Sequence, residues 1–200
     1  MSTPICKRSP FFYSFIRTLS RLVLFPGFRI QTEGLENLPA KGPFVLLPKH
    51  QRWEDIPLLA IAIPRPLYYI AKHELFMNRA SNRFISSLGG IPLNRKEPLK
   101  SRYSMRYMME VLGKGEVIVV FPEGTYYRDL VGRGQTGLIR MILPRYSLPF
   151  IPVGINYSAR KGRKPVRIRV GRSVFGDSTV NPREFIDSIM KEIGRLSDLD

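Results

Sequence analysis

The chain has 200 residues, 44% of them hydrophobic, with 17 prolines and 16 glycines, the makeup of one ordered globular domain rather than a disordered or fibrous chain. Lys and Arg number 32 against 16 Asp and Glu, and the net charge of +16 calls for a polyanionic partner: nucleic acid, an anionic membrane or a phosphorylated substrate. A single cysteine, Cys6, excludes a disulfide scaffold and points to a reducing compartment, and with only His50 and His73 beside it the chain is a poor source of metal ligands.

In chain order, Phe12, Phe15, Ile16, Leu19, Leu22 and Val23 recur at helical spacing, with Ser14, Arg17, Thr18 and Arg21 opposite, and Pro26-Gly27 ends the helix. Residues 1–30 hold Lys7, Arg8, Arg17, Arg21 and Arg29 and no acid, so 1–30 reads as an amphipathic membrane-surface segment and 31–200 as the main domain. Arg17 and Arg21 interrupt the apolar stretch and argue against a signal peptide. The longest apolar run, Ile56 to Ile63, falls well short of the ~20 residues of a membrane-crossing helix.

Short apolar runs at 44–47, 67–71, 116–121, 150–155 and 166–170 predict strands, and 56–63, 74–88, 98–112 and 183–196 predict helices. The alternation predicts an α/β fold with a mostly parallel or mixed central sheet covered by helices. In the last strand Val166, Ile168 and Val170 alternate with Arg167 and Arg169, so one face there is solvated or anion-facing. Chemistry is expected in loops at the carboxyl ends of the strands.

Three segments there contain reactive or ligand-binding residue types. In Lys49-His50-Gln51-Arg52-Trp53-Glu54-Asp55, five steps of about 100° keep His50 and Asp55 off one face of a regular helix, so they meet only if His50 sits in a turn and Asp55 opens the next helix as its N-cap. The carboxylate then orients an imidazole that serves as general base. No G-x-S-x-G is present, so such a pair suits a substrate that brings its own hydroxyl, the alternative being a surface histidine near a helix start. In Gly89-Gly90-Ile91-Pro92-Leu93-Asn94-Arg95, two glycines admit a ligand close to the backbone and Arg95 offers a fork for a phosphate. In Val120-Phe121-Pro122-Glu123-Gly124-Thr125, Glu123 either accepts from a substrate hydroxyl or holds Arg95.

Together and in this order the segments resemble the phospholipid and glycerolipid acyltransferase family, which includes the bacterial 1-acylglycerol-3-phosphate acyltransferases. His50…Asp55 is similar to its H-x4-D block, Gly90–Arg95 to its second block, Phe121–Thr125 to its F-P-E-G-T block, and Leu148-Pro149-Phe150-Ile151-Pro152-Val153-Gly154 to its fourth, over about residues 35–157. The resemblance implies that His50 is the base acting on a lysolipid hydroxyl and Asp55 its orienter. Arg95 and Lys72 are implied to bind the acceptor phosphate, with Glu123, Gly124, Thr125 and Arg128 shaping its pocket. His73 is structural, and the fourth block helps line an acyl site. The implied reaction moves an acyl chain from acyl-CoA or acyl carrier protein to lysophosphatidic acid, with no cofactor or metal, at the cytoplasmic face of the cell membrane.

The chain departs from that pattern where Tyr126-Tyr127 precede Arg128 and where Gln135-Thr136 replace lysines, so Arg128 and Arg133 compensate or the acceptor is another lysolipid, such as a lyso-ornithine lipid. A basic nucleic-acid-binding module using Arg160–Arg172 is the alternative from another class; no nucleic-acid motif supports it, and no nucleic-acid partner is expected. A non-catalytic lipid-binding relative is disfavoured by the intact His50 and Asp55.

Overall fold

The computed structural model describes residues 7–94, 102–145, 147–158 and 162–199. Helix α1 (Pro10–Leu24) leads into β1 (Phe28–Glu33), β2 (Phe44–Pro48), α2 (Asp55–Ala62) and β3 (Leu67–Lys72). Then come α3 (Arg79–Ser87), β4 (Gly90–Leu93), α4 (Arg102–Gly113), β5 (Val117–Val119) and a short α5 (Ile139–Ile142). The chain closes with β6 (Pro149–Tyr157), β7 (Lys164–Val170), β8 (Val174–Phe175) and α6 (Pro182–Ser197).

The strands form one sheet in the order β1-β7-β6-β2-β5-β3-β4, with β8 also on β6. Strands β6, β2, β5, β3 and β4 are mutually parallel, while β7 runs antiparallel to β6 and pairs in parallel with β1. This is the predicted mixed sheet with a parallel centre. Strands covered on both faces are apolar at every position, and β2 shows why. Phe44 and Leu46 enter a core with Leu58 and Leu59 of α2, whereas Val45 and Leu47 enter a second core with Met108 of α4 and Ile189 of α6. Each such fully buried side chain stabilises the fold by roughly 1.5–3 kcal/mol.

Three strands escape the sequence pattern. Strand β1 lies at one edge and is mostly exposed, so it carries Arg29, Gln31 and Glu33 and presents no apolar run. Strand β4 lies at the other edge, where the missing N–H of Pro92 is tolerated. Strand β8 is only two residues long. The predicted helix 74–88 divides into a 3-10 turn, His73–Phe76, and α3. The helix restarts there because Asn78 caps it, its Oδ1 accepting from Ala80 N at 2.8 Å. The predicted strand 116–121 contracts to 117–119, and of helix 98–112 the residues before 102 lie outside the described ones.

Gly89 and Gly90 serve packing. A Cβ on Gly90 would lie 2.4 Å from the Ile85 side chain and 2.9 Å from the Ile85 carbonyl oxygen, and Gly89 has φ +91°, so the pair lets α3 fold back directly onto β4. On β7, Val166, Ile168 and Val170 point inward as the alternation predicts. Outward-facing Arg169 meets Glu33 at 3.2 Å and Asp198 at 2.6 Å, and Arg167 meets Glu33 at 3.4 Å. Much of the central part of this basic stretch is therefore matched by the protein's own acids.

Helix α1 docks through buried Tyr13 and Leu24 and half-buried Ile16 and Arg17, while Ser14, Thr18 and Arg21 stay exposed. The Tyr13 hydroxyl accepts from Leu67 N at 3.1 Å, and Arg17 donates to the Ile63 carbonyl at 3.0 Å. Most of its apolar stripe is left outside, with Phe15 54% and Leu22 67% exposed and neighbouring Phe11 84%, while Phe12 and Ile16 are half-buried. Among the described residues, no helix is long and apolar enough to cross a membrane.

Candidate active site

Strands β2, β5 and β6 end side by side, and the segments leaving them meet. Lys49 N extends the ladder by one bond to Val153 O (2.9 Å), after which the chain turns through His50–Glu54 into α2. This turn brings together the two residues that a helix would separate: His50 Nδ1 lies 3.1 Å from Asp55 Oδ2. The same oxygen accepts from Gln51 N at 2.6 Å and Arg52 N at 2.8 Å, and Oδ1 accepts from the Tyr157 hydroxyl at 2.5 Å. Asp55 is fully buried. It is the first residue of α2 and not its N-cap, a place taken by Glu54 without a side-chain capping bond. The Asp55 carboxylate points back into the loop because the N–H groups of Gln51 and Arg52 converge there.

A carboxylate only accepts, so Nδ1 carries the proton and Nε2 presents its lone pair. Nε2 has no partner among the described residues. The imidazole is held between rings: Phe121 stacks on it at 3.7 Å and Tyr126 meets it edge-on at 4.4 Å.

Beneath His50 lies a buried ion pair. Lys49 Nζ donates to Glu123 Oε1 at 2.9 Å and Oε2 at 2.8 Å, and to the Tyr127 carbonyl at 2.7 Å. Glu123 Oε2 also accepts from His50 N at 2.9 Å, and Oε1 from Gly132 N at 2.7 Å. Burial pushes the Lys49 ammonium below its usual range, and Glu123 opposes that shift. The carboxylate expected to meet a substrate hydroxyl or Arg95 is thus an internal bracket that fixes the His50 backbone. Gly124, at φ +73°, lets the chain reverse after Glu123, with its N–H returning to Phe121 O at 3.1 Å. Gln51 completes the bracket, donating to Ile155 O at 2.7 Å and accepting from Asp129 N at 3.0 Å.

Lys72 ends β3 in register with Leu93 at the same end of the sheet and is exposed. Thr125 and Arg128 are exposed on the loop after β5. Arg95 lies outside the described residues. The fourth block is buried on both sides of the sheet: Phe150 belongs to one core and Ile151 and Val153 to the other. An apolar groove of about 270 Å³ opens beside Phe121, between Leu93, Met105, Val120, Leu138 and Met141. Among the described residues no cluster of three or more metal-ligating side chains occurs. Lys49 and Tyr157 escape sequence reasoning, because a lysine after a strand and a tyrosine a hundred positions from Asp55 look like ordinary surface residues in a sequence.

The model of the Acyltransferase family matches residues 29–156, and the chain belongs to that family. It is similar to the 1-acyl-sn-glycerol-3-phosphate acyltransferase of Bacillus subtilis (strain 168), with 32% identity over 56% of this chain and 56% of that one. The corresponding protein of Pseudomonas aeruginosa is 34% identical over 69% of this chain and 52% of its own length. The chloroplastic LPAT1 of Arabidopsis thaliana is 33% identical over 59% of this chain and 33% of its own. The chain thus spans about half the length, or less, of these curated relatives. The crystal structure of the 1-acyl-sn-glycerophosphate (LPA) acyltransferase PlsC from Thermotoga maritima superimposes with a TM-score of 0.71 over 93% of this chain and 78% of that one; at 24% identity it shows a shared fold.

Proposed function

We propose that the protein transfers a fatty acyl chain from a thioester donor, acyl-CoA or acyl carrier protein, to the free hydroxyl of 1-acylglycerol-3-phosphate, giving phosphatidic acid. The observation that carries this reading is the His50–Asp55 pair, with Nδ1 engaged and Nε2 free at the mouth of the parallel strands. The relatives' names point to the same acceptor. His50 Nε2 takes the proton of the acceptor hydroxyl as its oxygen attacks the thioester carbonyl carbon. The tetrahedral adduct collapses with cleavage of the carbon–sulfur bond, and the imidazolium returns its proton to the departing thiolate. Asp55 stabilises the imidazolium and keeps Nε2 aimed outward. No enzyme-bound acyl intermediate and no metal or cofactor is needed.

Lys72 and Arg128 supply cations at the same end of the sheet for the acceptor phosphate, and the sequence offers Arg95 as a third. Gly124 and Thr125 shape the turn beside it. The groove next to Phe121 takes the acyl chain, since Phe121 also forms one wall of the His50 site. The outward apolar stripe of α1, with neighbouring cations, seats the enzyme on the cytoplasmic face of an anionic membrane, at ~1 kcal/mol per nearby basic residue. A second reading, another lysolipid acceptor, is favoured by Tyr126, whose ring stands against the imidazole where the acceptor approaches.

Purified protein given labelled acyl-CoA or acyl carrier protein and a panel of lysolipids tests the reading. Wild type acylates lysophosphatidic acid and His50→Ala does not; full transfer by a folded His50→Ala protein would remove the mechanism. Preference for a different lysolipid would move the assignment to the second reading.

A further inference from the structure

Asp55 receives four donors, and three belong to its own loop: His50 Nδ1, Gln51 N and Arg52 N, all on Oδ2. Oδ1 is held from elsewhere, by the Tyr157 hydroxyl at 2.5 Å, and that residue lies 102 positions away at the end of β6. Because β6 and β2 are parallel neighbours, with Pro48 level with Val153, the tyrosine and the histidine loop project from the same end of the sheet. We infer that Tyr157 is a positioning residue for the transfer reaction, the third member of a chain in which its phenol holds Asp55 and Asp55 holds His50.

The chemistry has two consequences. A fully buried carboxylate held only by its own loop would follow every movement of that loop, whereas the phenol ties it to the rigid sheet. The phenol also draws charge toward Oδ1, so it moderates how strongly Oδ2 retains the proton on the imidazole. The donor is constant, because burial and the Asp55 carboxylate keep the phenol protonated far above neutral pH. Its neighbours reinforce it. The Arg52 guanidinium carbon sits 4.5 Å above the ring, which favours O–H donation, and Phe28 packs at 6.3 Å. The other charged or titratable groups around the pair are Glu54 on the loop, the Lys49–Glu123 bracket below, and Tyr126 and Asp129 after β5.

The inference rests on the acyltransferase reading, and the experiment separates the two. Acyl transfer to lysophosphatidic acid is measured for wild type, His50→Ala and Tyr157→Phe as kcat and KM across pH, with the His50 imidazole titrated by NMR. Tyr157→Phe lowers kcat by ~10-fold with KM within about twofold, and moves the acid limb of kcat/KM and the His50 titration to higher pH, since Asp55 then holds the imidazolium more firmly. Incorporation of 3-fluorotyrosine at 157, an isosteric and stronger donor that preserves packing, moves both to lower pH and keeps the question answerable if Tyr157→Phe folds poorly. A merely structural tyrosine would change the unfolding midpoint and leave both titrations in place. An inactive His50→Ala beside unshifted Tyr157 variants overturns the Tyr157 assignment alone; an active His50→Ala overturns the reading beneath it.

Discussion

Lys49 and Glu123 form a salt bridge of 2.8 Å in which neither side chain has any exposure to solvent. The carboxylate takes four hydrogen bonds, two from the ammonium and one each from His50 N and Gly132 N, so the pair joins the turn after β2 to the turn after β5. Removing one partner strands a buried charge. Lys49→Met is expected to cost about 3–5 kcal/mol, and Lys49→Met with Glu123→Gln to recover part of it. Denaturant midpoints measure this; a single variant as stable as wild type would show the charges are not desolvated.

Asp55→Asn isolates the charge from the shape. The amide oxygen keeps Gln51 N, Arg52 N and His50 Nδ1, while the new NH₂ faces the Tyr157 hydroxyl, which can accept. The fold should survive, and kcat should fall by ~10³–10⁴ with KM little changed, because the imidazolium loses its counter-charge. A fall below tenfold would assign Asp55 a loop-shaping role only.

The central strands are legible in the sequence because they are buried on both faces, so β2, β3 and β6 are apolar at nearly every position. The edges are not: β1 alternates toward solvent, and β4 carries a proline and a glycine that signal a turn in isolation. His50 and Asp55 stand out because both sit within one short segment whose geometry can be reasoned locally. Lys49, Tyr157 and the internal role of Glu123 depend on which strand ends lie side by side, and in this sheet order β5 and β6 both flank β2. Spacing along the chain does not contain that adjacency.

The stripe on α1 predicts a membrane response that charge alone does not. Phe11→Asp with Leu22→Asp removes two exposed apolar side chains, each worth roughly 1.5–3 kcal/mol on transfer from water, so partitioning onto vesicles with anionic lipid should drop by at least ~10-fold. Sedimentation with vesicles reads it, and His50→Ala should bind as wild type does. Unchanged partitioning of the double variant would leave the cations as the sole attachment.

Gly137 borders the groove beside Phe121, and a Cβ placed there meets nothing within 4 Å. The first atom of a side chain at Gly137 therefore meets no clash, and Gly137→Leu is expected to narrow the groove assigned to the acyl chain. Stability should change by no more than about 1 kcal/mol, while kcat/KM shifts toward shorter acyl donors. A uniform loss across chain lengths would place the chain elsewhere.

Alkaline stability follows from the tyrosines. Burial raises Tyr13, Tyr68 and Tyr69 above the ordinary phenol value and Tyr107 to about 12, and Tyr69 donates to the Ile56 carbonyl at 2.9 Å. In the unfolded chain these groups ionise near the ordinary phenol value of 10.0. The folded state thus holds protons that the unfolded state has released once pH passes that value. Their contribution is fully present below it and is lost as pH rises toward the folded values. Urea midpoints should be level from pH 7 to about 9 as far as these groups are concerned, then decline, and Tyr69→Phe, less stable at neutral pH through loss of its hydrogen bond, should decline less steeply. A wild-type midpoint that holds constant between about pH 9.5 and 11.5 would mean the phenols ionise in the fold as freely as in the open chain.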